Sequence, residues 1–258
     1  MSTLQNYYNN IYTEDDRLFK DQKHKTEFIL TTDYIDKYLK KGMKILELGA
    51  GTGAYSLLYA SKGYEVDALE YVKENLDILK SKITEDMNIN PVLGDARDLS
   101  IYEDNTFDMV LNLGPLYHLE GEDRDKVIQE AKRVCKKGGL IYFAYISNNF
   151  TFVKCIKKFD NYIIEYKEEI LEGYRLRDSQ NIFTFMYPSE MEELMKKYDL
   201  SKVHHLTTDG ISSLLIDRIN ELPEDQYEVW IDYLRTTAER EDQLGYGEHL
   251  LYIARWES

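Results

Sequence analysis

Three glycines stand on alternate positions directly after an apolar run, in the stretch LELGAGTGAYS (46–56). They are Gly49, Gly51 and Gly53, and the run before them, 43–48, is predicted to be a strand. A glycine turn between a strand and a helix lets backbone N–H groups come close to a ligand. The spacing Gly49-x-Gly51-x-x-Ala54 satisfies the loose dinucleotide pattern. Since S-adenosylmethionine uses the same turn, the glycines alone leave that cofactor and a nicotinamide dinucleotide both open.

Carboxylates at the ends of neighbouring predicted strands separate the two cofactors. Glu47 precedes Gly49 by two residues, where a carboxylate would repel a pyrophosphate and attract an amino group and a sulfonium. Glu70 follows Gly49 by 21 residues (70 − 49) and can accept hydrogen bonds from ribose hydroxyls. After the third strand, Asp95 can accept from an adenine amino group while the Ala96 N–H donates to a ring nitrogen. This pattern predicts S-adenosylmethionine.

The elements that must position these residues alternate between strand and helix. Strands are predicted at 43–48, 64–70, 90–94, 107–113 and 140–146, and helices at 55–62, 74–83 and 122–139. Gly138 and Gly139 are expected to end the last of these helices, which places Cys135 on its apolar stripe. A helix at 188–200 and strands at 201–208 and 247–256 follow. The alternation predicts an α/β fold with a doubly wound, mostly parallel, seven-stranded sheet.

The segments outside this pattern divide the chain into regions. Residues 1–42 are predicted to form a helical lid, with Thr13 as one helix cap and a second helix from Thr32 to Lys40 that stops at Gly42. Residues 43–146 form the cofactor-binding core, and 147–187 a cap insertion rich in aromatic residues. Residues 188–258 complete the core and carry a helical insertion at about 210–245.

Five stretches in this order resemble the motifs of class I S-adenosylmethionine-dependent methyltransferases: ILELGAGTG, VDALE, LGDARDL, FDMVLNLGPLYHL and KKGGLIYFAY. The resemblance is close over 43–146, and LGPLYHLEGEDR resembles a bacterial branch that methylates small molecules. It implies that the glycine turn, including Ala50, passes under the methionine and ribose, and that Asn112 and Leu113 face the methionine end. It further implies that Glu70 holds the ribose, that Asp95 and Ala96 hold the adenine, and that Tyr71 packs on the adenine plane.

The N-terminal stretch NYYNNIYTEDDR is a further candidate for cofactor contact. In related enzymes a leading helix closes over the cofactor, so Tyr7, Tyr8, Tyr12 or Arg17 is expected to reach it. Arg17 can pair with the methionine carboxylate. The alternative is a solvated helix with ordinary surface charges.

His118, just after the fourth strand, is the best candidate for a catalytic base, because imidazole takes up a proton near neutral pH. The alternative is that His118 packs against the next helical turn. Tyr117 is a second candidate for contact with the methyl acceptor. His204 and His205 are adjacent in a predicted strand and point to opposite faces. His24 and His249 have no ligand partners nearby in sequence, so no metal site is predicted.

Aromatic residues of the cap are expected either to line an acceptor pocket or to form the cap's own core. They are Phe150, Phe152, Tyr162, Tyr166, Tyr174, Phe183, Phe185 and Tyr187.

Composition limits the partners. The chain has 32 Lys and Arg against 47 Asp and Glu, a net charge of −15, which argues against nucleic acid as the habitual partner. The turn after strand four also lacks the compact Asn/Asp-Pro-Pro-Tyr form of methylases that act on base amines. Two cysteines, no secretion signal in MSTLQNYYNN and no membrane-spanning run predict a cytoplasmic protein.

The sequence therefore predicts a methyltransferase that moves a methyl group from S-adenosylmethionine to an O, N or S of a small molecule, leaving S-adenosylhomocysteine. The alternatives are a protein or RNA methyltransferase, a cofactor-binding module without turnover and an NAD-dependent dehydrogenase. The expected assembly is a monomer or a homodimer.

Overall fold

The computed structural model describes residues 3–10, 14–173, 176 and 182–257. The strands are β1 Lys44–Leu48, β2 Glu65–Glu70, β3 Ile89–Leu93, β4 Phe107–Asn112, β5 Cys135–Ser147, β6 Phe185–Met186, β7 Leu200–Thr207 and β8 His249–Trp256. The helices are α1 Thr3–Asn10, α2 Gln22–Asp36, α3 Ala54–Ser61, α4 Lys73–Ser81, α5 Gly121–Val134, α6 Asn148–Lys158, α7 Tyr162–Glu165, α8 Lys167–Gly173, α9 Pro188–Lys197, α10 Ile216–Asn220, α11 Glu224–Thr237 and α12 Glu241–Leu244, with a 3-10 turn at Pro115–His118.

The sheet has the strand order β3-β2-β1-β4-β5-β8-β7, and the two-residue strand β6 pairs with β5 beside this path. Strands β1 to β5 are parallel, whereas β8 runs antiparallel to both β5 and β7. The prediction of a doubly wound, mostly parallel sheet of seven strands is confirmed, with β6 as a short addition. Because the parallel strands end at one edge, the residues that follow β1, β2, β3 and β4 meet there.

Both faces of the sheet are covered, which explains why the central strands are apolar at nearly every position. Ile45 and Leu46 are adjacent in β1, yet they belong to different hydrophobic clusters on opposite faces. Helices α5 and α9 cover the face of Leu46, and α2 and α3 cover the face of Ile45. Cys135 is fully buried in the core, as expected for a packing residue.

The second N-terminal helix differs from its prediction. It runs from Gln22 to Asp36, so the expected start at Thr32 and end at Lys40 are both wrong. Asp21 is the N-cap: its carboxylate accepts a hydrogen bond of 2.9 Å from the backbone N–H of His24. The first apolar residue of this helix, Phe28, comes seven positions after the cap, so the first two turns carry no apolar pattern. The expected cap Thr13 lies outside the described residues.

The junction between α5 and β5 also differs. The helix ends at Val134, so Cys135 lies in the strand, and Gly138 and Gly139 lie within the strand rather than at a helix end. The pairing of β5 with β4 shifts there, and Gly138 has a φ of +78°. A Cβ on Gly139 would lie 2.9 Å from the carbonyl oxygen of Asp108. The glycines therefore allow a β-bulge near the start of β5, where the spacing of the apolar residues predicts that the helix continues.

The expected helical insertion at 210–245 contains α10, α11 and α12. Buried Leu30 of α2 packs against Ile219, Ile231 and Leu234 of these helices. The boundaries of lid, core and cap stay predictions. Among the helices that the structure describes, none has the length and apolarity needed to cross a bilayer.

Candidate functional site

The glycine turn between β1 and α3 packs tightly at the carboxyl edge of the sheet. Gly49 and Gly51 have φ values of +70° and +57°, in the left-handed region that favours glycine. A Cβ on Gly49 would lie 2.8 Å from Cδ of Pro115, and one on Gly51 would lie 3.2 Å from Cγ of Glu14. Because neither position carries a Cβ, a ligand can approach the backbone of the turn closely.

Two cavities lie at this edge of the sheet. The smaller cavity, of about 230 Å³, lies beside the glycine turn. It brings together nine of the residues predicted from the sequence: Tyr8, Gly49, Gly51, Glu70, Tyr71, Asp95, Ala96, Tyr117 and His118. They come from α1, from the ends of β1, β2 and β3, and from the turn after β4. The parallel strands and α1 therefore join residues up to 110 positions apart into one site.

Glu70 lies in the wall of this cavity and is 4% exposed. Its two carboxylate oxygens accept hydrogen bonds of 2.8 Å from the backbone N–H groups of Gly51 and Val72. Burial raises the pKa of Glu70, and these bonds counteract that shift. The carboxylate is thus fixed in place, and each oxygen keeps lone-pair capacity for a further donor.

A recess of about 40 Å³ on the other side of the glycine turn is lined by Glu47, Ala50, Leu113 and Arg17. Glu47 is 2% exposed and accepts a hydrogen bond from the hydroxyl of Ser56. Burial raises its pKa to about 8. Glu47, expected from the sequence to be charged, is therefore largely protonated at neutral pH unless a cation lies beside it.

Gly53 and Asn112 line neither the smaller cavity nor the recess. A Cβ on Gly53 would meet the side chains of Leu57 and Leu79 at 3.0 and 2.9 Å, so this glycine serves the packing of α3. Asn112 is fully buried, and neither its amide oxygen nor its amide nitrogen has a hydrogen-bond partner within the described part of the chain. Such an orphaned amide at the end of β4 is costly unless a ligand reaches it.

Asp95 forms a salt bridge with Arg97, two residues further along the chain. Both of its oxygens accept from the Arg97 guanidinium, at 3.0 Å from Nε and 2.6 Å from Nη2. Burial would raise the pKa of Asp95, but the hydrogen bonds from Arg97 outweigh it and lower that pKa. A role for Asp95 toward adenine therefore requires that it share its oxygens with Arg97.

Arg17 is likewise not an isolated cation. Its guanidinium donates to Glu14 at 3.0 Å and to both oxygens of Glu27, at 2.8 and 3.1 Å. Glu27, from α2, has its pKa lowered to about 2, because Arg17 and His249 outweigh the effect of burial. A ligand carboxylate must compete with these two glutamates for Arg17, which weakens the role expected from the sequence.

His118 has a defined tautomer. Its Nδ1 lies 2.8 Å from the carbonyl oxygen of Ile182, which can only accept, so Nδ1 carries the proton. Its Nε2 therefore accepts from the hydroxyl of Tyr8, 3.0 Å away. Burial, and then the nearby Tyr117, raise the pKa of Tyr8 well above its usual value, so the hydroxyl keeps its proton. The lone pair of His118 thus points at Tyr8, in the wall of the smaller cavity.

A larger cavity of about 830 Å³ lies on the far side of Tyr8 and Tyr117, which line both spaces together with Glu14. Of the aromatic residues predicted for the cap, four line it: Tyr162, Tyr166, Phe183 and Phe185. Phe150 is instead buried in the core, and Tyr174, like Tyr12 of the N-terminal stretch, lies outside the described residues.

Sequence reasoning missed a buried charged network beside the larger cavity. Asp209, which is fully buried, accepts from Nδ1 of His249 at 3.0 Å and from the backbone N–H groups of Glu248 and His249. Burial lowers the pKa of His249, but Glu27, Asp209 and Glu248 outweigh it and raise that pKa. Asp209 follows β7 and His249 begins β8, so no local spacing could have joined them.

Asp209, Glu248 and His249 bring ligand atoms within 4.8 Å of one another, which the sequence did not suggest. The oxygens of Glu248, however, are engaged by Lys23, Lys154 and Ser213. Two ammonium groups at this carboxylate already supply the positive charge that a metal ion would bring. The prediction that the chain holds no metal stays a prediction.

Comparisons with known proteins point to one family. Residues 46–143 match the model of a methyltransferase domain. Cypemycin N-terminal methyltransferase from a Streptomyces species is 34% identical over 103 residues, which cover 39% of this chain and 41% of that protein. Demethylmenaquinone methyltransferase from Paenarthrobacter aurescens is 30% identical over 153 residues, or 59% and 56% of the two chains. This chain thus spans about half the length of these relatives.

A solved structure of a SAM-dependent methyltransferase from Methanosarcina mazei has the same fold. Its TM-score is 0.58 at 19% identity, and the match covers 87% of this chain and 97% of that one. The shared fold therefore extends well beyond the segment matched by the family model.

Proposed function

We propose that this chain transfers a methyl group from S-adenosylmethionine to an O, N or S of a small molecule. Residues 46–143 form its class I S-adenosylmethionine-dependent methyltransferase domain. The observation that carries the proposal is the meeting of two cavities at one wall. The smaller cavity holds the predicted cofactor residues, and the larger one begins on the other side of Tyr8 and Tyr117.

The residues present fit the cofactor. Glu70 has oxygens with remaining capacity for two ribose hydroxyls, and Gly49 and Gly51 leave the backbone open to close approach. The buried, unpartnered amide of Asn112 suits a polar group of the methionine end. Glu47 would regain its charge beside the cofactor's ammonium group, because a neighbouring cation lowers a carboxyl pKa.

When bound, the cofactor supplies a methyl carbon attached to a positively charged sulfur. The chain must hold the acceptor atom in line with that carbon and exclude water. His118 can take the acceptor's proton at Nε2, since Nδ1 is already protonated and fixed by Ile182. In this structure the Tyr8 hydroxyl donates a hydrogen bond to Nε2, so an acceptor hydroxyl or amine would have to replace it as the donor.

A small acceptor is supported by the size of the larger cavity. Its volume of about 830 Å³ lies in the range of small-molecule sites, and residues of α1, α6 and α7 line it. In this proposal α1 acts as the lid and 147–187 as the cap. The relatives do not select an acceptor, because their names refer to a peptide N-terminus, a quinone and a ribosomal RNA.

The test is isothermal titration of the chain with S-adenosylhomocysteine and with NAD. We expect micromolar or tighter binding of S-adenosylhomocysteine and none of NAD. Glu70→Ala should weaken that binding about 10- to 100-fold, the effect of losing charge-assisted hydrogen bonds. Exposed Glu103, in the turn before β4, gives the matched control Glu103→Ala, which should bind as the wild type does. Binding of NAD without S-adenosylhomocysteine would overturn the proposal.

A further inference from the structure

The larger cavity combines flat aromatic surfaces with ammonium groups. Resting on the function proposed above, we infer that its methyl acceptor is a planar aromatic molecule that carries an anionic group, such as a carboxylate. Tyr117, which the sequence predicts to contact the methyl acceptor, lines this cavity.

The charge of the lining is opposite to that of the chain. The chain as a whole has 32 basic against 47 acidic residues. The described lining of the larger cavity has five Lys and Arg side chains and three acidic ones: Arg17, Lys20, Lys23, Lys154 and Lys158 against Glu14, Glu165 and Glu248. In a protein that is acidic overall, a cavity lined mainly by basic side chains attracts anions.

Three of the five basic side chains are already neutralised by carboxylates. Glu248 is paired with buried Lys23 at 3.5 Å and with exposed Lys154, and the hydroxyl of Ser213 donates to it. Arg17 is shared between Glu14 and Glu27. The three carboxylates balance the three cations and leave no net charge for a ligand.

Lys20 and Lys158 provide the unbalanced charge. Both are exposed, and neither forms a salt bridge with a carboxylate in the described ranges. The ammonium of Lys158 lies 5.2 Å from the centre of the Phe159 ring, a cation–π contact that leaves its charge in place. We call three exposed charged residues of the lining, Lys20, Lys158 and Glu165, the rim of the cavity. Within the described lining Glu165 is the one exposed carboxylate, so the two lysines leave a net positive charge at the rim.

The apolar surfaces between rim and wall are aromatic. Tyr162 stacks on Phe159 with ring centres 6.2 Å apart at 29°, and it lies 4.8 Å from the ring of Tyr166. Nearer the cofactor residues, Tyr117 stacks on Phe183 at 6.3 Å and 29°. Such faces favour a flat ring system. A ring placed between the Phe159–Tyr162 pair and the Tyr117–Phe183 pair would have its anionic group at the lysine rim. Its nucleophilic atom would point toward Tyr117.

Two fluorescent probes with one aromatic skeleton test this inference without the natural acceptor. They are 8-anilinonaphthalene-1-sulfonate, an anion, and N-phenyl-1-naphthylamine, which lacks the sulfonate. Titrations use the full chain saturated with S-adenosylhomocysteine. We expect the anion to bind at least ten-fold more tightly than the neutral probe. In the double variant Lys20→Gln/Lys158→Gln the anion should weaken about ten-fold, and the neutral probe should change less than two-fold.

The matched control is Lys40→Gln/Lys41→Gln, which removes the same charge from exposed positions that line neither cavity. It should leave both affinities as in the wild type. Equal affinities of the wild type for the two probes, or equal losses in both double variants, would overturn the inference. If S-adenosylhomocysteine does not bind the wild type, the proposed function fails instead. If it binds and the lysines have no effect, only the acceptor class is wrong.

Discussion

The hydroxyl of Tyr8 lies 3.0 Å from Nε2 of His118, although 110 residues separate them along the chain. Both side chains line the smaller cavity, and Tyr8 also lines the larger one. Tyr8 therefore stands between the proposed cofactor and the proposed acceptor, and His118 lies on the cofactor side of it. Since His118 donates from Nδ1 to Ile182, its only basic atom points at this junction.

His118→Ala should lower turnover about 100-fold or more, the usual contribution of a general base, and leave the affinity for S-adenosylhomocysteine within about three-fold of wild type. Release of S-adenosylhomocysteine with the best acceptor from a panel of aromatic acids measures it. His204→Ala is the control, because His204 bonds to Tyr38 and Glu239 on another part of the molecule. Unchanged turnover in His118→Ala would reject the base.

Gly49→Ala should abolish detectable cofactor binding and destabilise the fold by about 1–3 kcal/mol, through left-handed backbone strain and the collision with Pro115. Gly63→Ala separates the two causes. Gly63 has a φ of +85° but open space around its Cβ position, so strain alone remains and binding should be intact. Calorimetric titration and urea unfolding measure both quantities. Normal binding by Gly49→Ala would contradict the close-approach role of the turn.

Binding of S-adenosylhomocysteine should release a proton from Glu47. With a pKa of about 8, its carboxyl is about nine-tenths protonated at pH 7, and the incoming ammonium group favours the ionised form. Affinity should therefore rise with pH, by up to about ten-fold per unit below pH 8. Titrations in buffers of different ionisation enthalpy count the proton. Glu47→Gln should remove the release, and wild-type binding without proton transfer would contradict this prediction.

Glu27 should stabilise the fold in a pH-dependent way. Its pKa is lowered to about 2, so its contribution is complete above its unfolded value of 4.5 and disappears as the pH falls through about 2. Converted at 1.36 kcal/mol per unit, the shift corresponds to roughly 3 kcal/mol. Glu27→Gln should cost about that much in urea unfolding at pH 7 and much less at pH 2. The exposed residue Glu85 provides the control Glu85→Gln. A loss independent of pH would contradict the ion-pair explanation.

The sequence predicted the core of the site because the relevant signals are local. Strand, glycine turn and helix follow one another within a few residues, and parallel strands must end at one edge. These signals place Gly49, Glu70 and Asp95 at one edge of the sheet, and in the structure all three line one cavity. The prediction was wrong at the start of α2, which Asp21 caps well before Thr32, and at the end of α5, where Gly138 lies within the following strand.

What the sequence determined by itself was the order of the elements, the parallel sheet and the identity of the residues at strand ends. Only the tertiary structure decided how those residues are charged and what they are bonded to. Arg17 is held by Glu27, Asp95 by Arg97 and His118 by Tyr8, and Glu47 loses its charge through burial. These states depend on distances and on exclusion of water between segments far apart in the chain, and no spacing along the sequence encodes them.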